Sequence, residues 1–194
     1  MPDPRVWNEL VEAHRTVELQ HPERANLDQL PVHEPVAAIL ACSDARVPPS
    51  VVFGQDAGQV FVVRIAGNTA SPAALASLDY AVAVLGVELL VVLGHTGCGA
   101  VQAAADGTCG GNLAPIVEPI CRLAAAAPTA TVDELVVANV LATMEDLAHH
   151  GGPVGDAVRS RRLDLRGAVH DLRSGELDLL TPEPFQQPAP MEAQ

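Results

Sequence analysis

The sequence has few aromatic residues, few basic residues and no long apolar run. Aromatic side chains make up only 3% of the 194 residues, so the core must be built mainly from alanine, valine and leucine. Lysine and arginine number 11 against 24 aspartates and glutamates. The resulting formal net charge of −13 argues against a nucleic acid or an anionic membrane surface as partner. The 48% share of hydrophobic residues excludes disorder for most of the chain and suits one domain with a real core.

The sequence also lacks membrane and secretion signals. Its longest apolar runs, such as VELLVVLG at residues 87–94, are far shorter than the ~20 residues that a membrane-spanning helix requires. The start, MPDPRVWNEL, has no basic region followed by an apolar stretch. We therefore expect a cytoplasmic protein. In that compartment, the four cysteines favour metal or catalytic chemistry over disulfides.

Alternating strand and helix patterns predict an α/β domain. The apolar runs at 36–41, 59–67 and 87–94 are typical of strands buried on both faces. Residues 163–180 form two β-runs around the turn RSGE, which predicts a hairpin. Helices are expected at residues 71–86, with Ser71 as N-cap, 112–126 and 131–150. The fold class is therefore a mainly parallel sheet of four parallel strands plus a C-terminal antiparallel strand, flanked by helices.

The chain divides into three expected segments. Residues 1–35 form an N-terminal helical arm, with an amphipathic helix from Arg5 to Leu19, and a linker. Residues 36–180 form the main domain, and the proline-rich residues 181–194 form a disordered tail.

Reactive and charged side chains stand at the ends of three predicted strands. Cys42 follows the first strand, Arg64 ends the second, and His95 and Cys98 follow the third. Because the carboxyl ends of parallel strands meet at one edge of the sheet, we expect these side chains to share a pocket. Two thiolates and one imidazole suit zinc, and three protein ligands leave one position open, as in catalytic zinc sites.

Asp44, two residues after Cys42, has two possible roles. Its carboxylate can occupy the fourth zinc position and close the site. Alternatively, it can pair with Arg46 and accept a proton from a water at the open position. The residues alone leave both arrangements open.

At this point the sequence resembles the β-class carbonic anhydrases. The matching segments are CSDARV (42–47), FVVRIAGN (61–68), SLDYAVAVLG (77–86), GHTGCGAV (94–101) and LRGAVHDLRSGELDLL (165–180). The resemblance implies that residues 36–180 are a zinc enzyme that hydrates carbon dioxide reversibly to bicarbonate and a proton through a zinc-bound hydroxide. It also implies a homodimer, possibly a tetramer, with the N-terminal helix packed on the partner subunit.

The resemblance also assigns residues. It implies one Zn²⁺ per subunit, held by Cys42, His95 and Cys98, and a catalytic pair of Asp44 and Arg46, with Asp44 as fourth ligand in a closed state. The expected substrate-binding residues are His33, Ala66, Gly67, Asn68 and Gly99. Many members of the family have a glutamine nine residues before the first cysteine ligand, where this chain has His33. That histidine is either a substrate donor or proton shuttle, or an ordinary surface residue.

Other interpretations accompany this one. In relatives, the same metal site hydrolyses carbon disulfide or carbonyl sulfide. A third possibility is a zinc-bearing bicarbonate sensor that catalyses no reaction.

Two further features of the sequence have ordinary structural explanations. Cys109 and Cys121 have no histidine or cysteine at ligand spacing, so we expect both to be ordinary free thiols. The glycine-rich residues 107–112 lack the lysine of a phosphate-binding loop and predict a flexible loop.

Overall fold

The computed structural model describes residues 5–20 and 33–180, in two compact units, Met1–His33 and Glu34–Gln194. The first unit contains helix α1 (Arg5–Gln20), as predicted. Its apolar side chains Val6, Trp7 and Leu10 are exposed. The predicted tail at 181–194 and most of the predicted linker lie outside the described residues.

The second unit is built on one five-stranded sheet. Its strands are β1 (Ala37–Ala41), β2 (Val60–Arg64), β3 (Leu89–His95), β4 (Asp164–His170) and β5 (Leu177–Leu180). The order across the sheet is β2-β1-β3-β4-β5. The first four strands pair in parallel, and β5 pairs antiparallel with β4 across the predicted hairpin. Every residue of β1, which lies between β2 and β3, is buried, as its unbroken apolar run predicts. The predicted fold class is confirmed.

Helices cover the sheet and connect its strands. They are α2 (Pro49–Val52), α3 (Pro72–Ala83), α4 (Gly99–Ala105), α5 (Ala114–Ala126), α6 (Val132–His149) and α7 (Pro153–Arg159). The predicted N-cap of α3 is present, because Ser71 Oγ accepts a hydrogen bond from Ala74 N. The sequence analysis missed α2, α4 and α7, since helices of four to seven residues are too short to show a period. Among the described helices, none is long and apolar enough to cross a membrane.

Helix α6 packs closely on β3 at Gly94. A Cβ at this position would lie 2.6 Å from Val140 Cγ2 and 3.1 Å from Val136 Cγ1. The missing side chain therefore lets α6 approach the strand one residue before His95. This contact brings the buried face of α6 close to the carboxyl edge of the sheet.

The prediction that Cys109 and Cys121 are free thiols is wrong. The two residues form a disulfide with a Cα–Cα distance of 6.0 Å. The expectation considered only metal-ligand spacing and the compartment. It did not foresee that the turn after α4 would bring residue 109 against the second turn of α5. The disulfide gives no support to a reducing compartment, and the cytoplasmic location stays a prediction.

Removing this disulfide is expected to lower stability without removing the fold. The bond closes a loop with a sequence separation of 12. Loop-closure entropy for that length gives a stabilisation of about 3 kcal/mol. Denaturant unfolding of the Cys109→Ser/Cys121→Ser variant, compared with the oxidised wild type, measures the loss. An unchanged midpoint would show that the bond does not restrain the unfolded chain.

Candidate metal centre

Three side chains from two separate parts of the sequence meet at the carboxyl edge of the sheet. Cys42 directly follows β1, His95 is the last residue of β3, and Cys98 is the N-cap residue of α4. All three are buried, and their Sγ and ring-nitrogen ligand atoms lie within 4.8 Å of one another. The structure thus brings Cys42, His95 and Cys98 together at this edge of the sheet, and their binding of a metal stays a prediction.

The spacing of the two sulfurs fits a tetrahedral metal. Cys42 Sγ and Cys98 Sγ lie 3.8 Å apart, and both cysteines are free of disulfides. Zinc–sulfur bonds of about 2.3 Å at a tetrahedral angle put two sulfurs about 3.75 Å apart. The pair is therefore far too distant for a disulfide bond but correctly spaced to hold one zinc ion.

The His95 ring is oriented as a ligand. Its Nδ1 lies 3.0 Å from the carbonyl oxygen of Thr96, and a carbonyl only accepts, so Nδ1 carries the proton. Nε2 then has a free lone pair. In the described part of the chain this buried nitrogen has no hydrogen-bond partner. Burying an acceptor without a donor costs free energy of folding, and a metal ion bound to His95 Nε2 would remove that cost.

The two thiols shift each other's pKa in opposite directions. A hydrogen bond from Cys98 lowers the pKa of Cys42 to about 4, against the opposing effect of burial. The same hydrogen bond, with burial, raises the pKa of Cys98. A metal ion binds cysteine as the thiolate, so a cation that binds both sulfurs displaces their protons.

Asp44 is paired with Arg46 rather than turned to the cluster. Its Oδ1 accepts from Arg46 N at 3.0 Å and Nε at 2.9 Å, and its Oδ2 accepts from Nη2 at 2.7 Å. These bonds lower the pKa of Asp44 far below its usual range, so the carboxylate stays ionised. Its Oδ2 lies 3.9 Å from His95 Nε2, next to the candidate ligands. Of the two arrangements considered for Asp44, this structure has the arginine-paired one.

Arg64 holds the backbone of this segment. At the end of β2, its Nε donates to Cys42 O at 3.0 Å, and its Nη2 donates to Asp44 O. The sequence placed Arg64 at the pocket but gave no signal for these contacts, because they are made to carbonyl oxygens. Arg64 thereby fixes the strand exit that carries both a candidate ligand and the carboxylate.

The turn after β2 contains three predicted substrate-binding residues, Ala66, Gly67 and Asn68. Gly67 N donates to Cys42 Sγ at 3.3 Å, which places this turn against the cluster. Asn68 is buried, and among the described residues its Nδ2 lacks a hydrogen-bond partner. Gly99 follows Cys98 at the start of α4. Contact of these residues with substrate stays a prediction.

His33 is exposed and is the last residue of the first compact unit. Its predicted role in substrate binding stays a prediction.

Two contacts near the cluster were missed in the sequence. Asp133 Oδ1 accepts from Gly97 N at 2.9 Å, and Asn139 Nδ2 donates to Gly67 O at 2.7 Å. Both side chains come from α6, more than 30 residues away from their partners in the chain. A polar residue among the apolar positions of a buried helix face was the available signal for Asn139.

Comparison with known proteins gives a consistent family. Residues 37–177 match the family model described as carbonic anhydrase. The chain is 37% identical over 150 residues to carbonic anhydrase 2 of Mycobacterium tuberculosis, covering 73% of this chain and 72% of that protein. It is 38% identical over 162 residues to the carbonic anhydrase of Pseudomonas aeruginosa, covering 75% and 73% of the two chains.

Solved structures have the same fold. A structure from a study of two tetrameric β-carbonic anhydrases from Sordaria macrospora has a TM-score of 0.71 at 27% identity, covering 90% of this chain and 93% of that one. A β-carbonic anhydrase of Aspergillus fumigatus has a TM-score of 0.73 at 29% identity, with coverage of 91% and 89%. The chain therefore belongs to the β-class carbonic anhydrases, a family of lyases that hydrate carbon dioxide.

Proposed function

We propose that this protein catalyses the reversible hydration of carbon dioxide to bicarbonate and a proton, with one Zn²⁺ held by Cys42, His95 and Cys98. The observation that carries the proposal is the buried cluster of these three side chains, with its sulfur–sulfur distance of 3.8 Å. Three protein ligands leave a fourth position for water or substrate. When bound, zinc supplies a Lewis acid that generates a nucleophile from water at neutral pH, a role for which carbonic anhydrase is itself the standard example.

Asp44 orients the attacking water by accepting a hydrogen bond from it. Because its pKa is held low by Arg46, the carboxylate is always available as an acceptor. A water that donates to Asp44 Oδ2 is oriented with a lone pair free for the carbon atom of the substrate. Three hydrogen bonds from Arg46 keep the carboxylate from turning to the metal position.

The arrangement of Asp44 also supports catalysis over the bicarbonate-sensor alternative. A locked sensor requires the carboxylate at the metal, where it would exclude water. In the structure, the Arg46 guanidinium instead donates a hydrogen bond to each of the two carboxylate oxygens of Asp44. Exchange of that pair for a metal bond would break a bidentate, charge-assisted interaction.

Stopped-flow hydration of carbon dioxide by the zinc-loaded protein, from about pH 6.5 to 9, tests the proposal. Metal-free protein under the same conditions is the control. We expect turnover across the range from the zinc form alone. Turnover confined to high pH would place Asp44 on the metal at neutral pH. A zinc-loaded protein without turnover at any pH would refute the proposed reaction, and carbon disulfide and carbonyl sulfide would then be the substrates to assay.

We further propose that the active form is a homodimer that can assemble into a tetramer. The exposed Val6, Trp7 and Leu10 of α1 form an apolar surface suited to a second subunit. The Sordaria macrospora relatives are described as tetrameric, which supports assembly beyond the single chain. Sedimentation analysis of the zinc-loaded protein measures the assembly, and a monomer would contradict it.

A further inference from the structure

The Gly67 peptide is a contact point between the candidate metal centre and the protein core. Gly67 N donates to Cys42 Sγ at 3.3 Å. The residue has a φ of 70°, in the left-handed region that glycine enters at little cost but that does not by itself hold glycine in one conformation. A hydrogen bond from this amide to a ligand sulfur therefore needs restraint from elsewhere.

That restraint comes from Asn139. Its Nδ2 donates to Gly67 O at 2.7 Å, across 72 residues of sequence. Asn139 is 3% exposed and lies on the face of α6 that also contains Val136 and Val140. Those two valines pack against Gly94, so the position of the amide donor is fixed by the contact between α6 and β3.

The opposite side of the glycine is closed as well. A Cβ on Gly67 would lie 2.8 Å from Ile120 Cδ1 and 3.3 Å from Ala100 Cβ. The turn is thus confined sterically by α5 and α4, and held in orientation by the single strong side-chain donor from α6. Thr69 Oγ1 also approaches Gly67 O, but at 3.4 Å, and its shorter bond is to Ile116 O at 3.0 Å.

We propose that Asn139 is a positioning residue that holds the Gly67 amide on the Cys42 thiolate and thereby sets the charge that this sulfur donates to the metal. The inference rests on the proposed metal centre but not on the reaction it catalyses. An N–H···S hydrogen bond draws electron density from a thiolate, and groups one step removed from a metal commonly change its affinity roughly 10–100-fold. Without Asn139, the weak Thr69 contact would be the one side-chain hydrogen bond to Gly67 O from the described residues, and the turn would relax away from Cys42.

Cobalt(II) replaces zinc in such sites and reports on sulfur directly. The energy of thiolate-to-cobalt charge-transfer absorption depends on the sulfur lone pairs, which the hydrogen bond stabilises. We expect Asn139→Leu, which keeps the branched shape and removes the donor, to move these bands to longer wavelength. Competition with a chelator should show zinc affinity reduced about tenfold or more, because the relaxed turn no longer holds the Cys42 sulfur in position and this loss outweighs its greater electron density.

Thr143→Val is the matched control. Thr143 lies one turn further along the same face of α6 and is equally buried, at 3% exposure, so its replacement also removes a buried polar group. We expect its cobalt spectrum to match the wild type even if its thermal stability falls. Asn139→Ser, whose side chain is too short to bridge to Gly67 O, is a second variant in case Asn139→Leu does not fold, and should shift the bands in the same direction.

Unchanged bands in a folded Asn139 variant, or an equal shift in Thr143→Val, would overturn the proposal. A wild-type protein that shows no thiolate-to-cobalt bands would overturn both this inference and the proposed metal centre. Shifted bands in a protein without carbon dioxide hydration would leave the inference intact and refute only the proposed reaction.

Discussion

Cys98→Ser is expected to abolish stoichiometric zinc binding and to lower kcat/KM for carbon dioxide hydration by at least about a thousandfold, well beyond the roughly 10–100-fold typical of groups one step removed from a metal. The side chain supplies one of two sulfurs placed 3.8 Å apart. Serine has a similar size, but its hydroxyl is a poor zinc ligand and does not ionise at neutral pH. The remaining Cys42 and His95 provide only two ligands, too few for a stable site.

Metal analysis after dialysis, together with the hydration assay, measures both effects. The Cys109→Ser/Cys121→Ser variant is the matched control, because it also removes cysteine sulfurs but from the disulfide. It should keep one zinc per chain and most of the activity. A Cys98→Ser protein that still holds one zinc per chain would contradict the proposed ligand set.

The cluster of Cys42, His95 and Cys98 could be predicted from the sequence, because these residues lie at or just after the ends of predicted strands. Cys42 and His95 each follow an apolar run, and parallel topology then brings the two ends to one edge of the sheet. Cys98 needed no further assumption, since a turn of only two residues, Thr96 and Gly97, connects it to His95. The same reasoning placed Arg64 at this edge. These predictions required the order of elements and not the details of packing.

Contacts made through packing could not be predicted in this way. The bond from Asn139 to Gly67 O depends on how closely α6 approaches β3, and hence on which side chain faces which backbone group. The Cys109–Cys121 disulfide depends on the path of the chain between α4 and α5. No hydrophobic period or sequence motif indicates either bond, and predicting them requires distances in the folded structure.

The position of Asp44 could be predicted only in part from the sequence. The spacing from Asp44 to Arg46 permitted pairing but equally permitted a carboxylate on the metal. The structure adds that the backbone N–H of Arg46 also binds Asp44 Oδ1, so the carboxylate is held by the local turn as well as by the guanidinium. Two further contacts fix the same segment, from Arg64 to the carbonyl oxygens of Cys42 and Asp44.

Arg46→Ala is therefore expected to lower kcat/KM at neutral pH by about a hundredfold or more, an effect on the scale of lost general acid–base catalysis. Without the guanidinium, Asp44 loses the donors Nε and Nη2 and keeps only the backbone N–H. The carboxylate is then free to take the fourth metal position, and its pKa rises toward the ordinary range. Arg46→Lys keeps the positive charge but not the two-pronged geometry, so we expect intermediate activity.

A double-mutant cycle on Asp44 and Arg46 distinguishes an effect of Arg46 through Asp44 from a general loss of stability. If Arg46 acts only through Asp44, then Asp44→Ala/Arg46→Ala should be no less active than Asp44→Ala alone, because the carboxylate that Arg46 restrains is already absent. Steady-state hydration rates of the wild type, both single variants and the double variant complete the cycle. Independent roles would instead make the two losses multiply, and the double variant would fall at least a further hundredfold or so below Asp44→Ala. That result would show that Arg46 has a role independent of Asp44, carried by its exposed guanidinium, which is 58% accessible and lies beside Gly97 O.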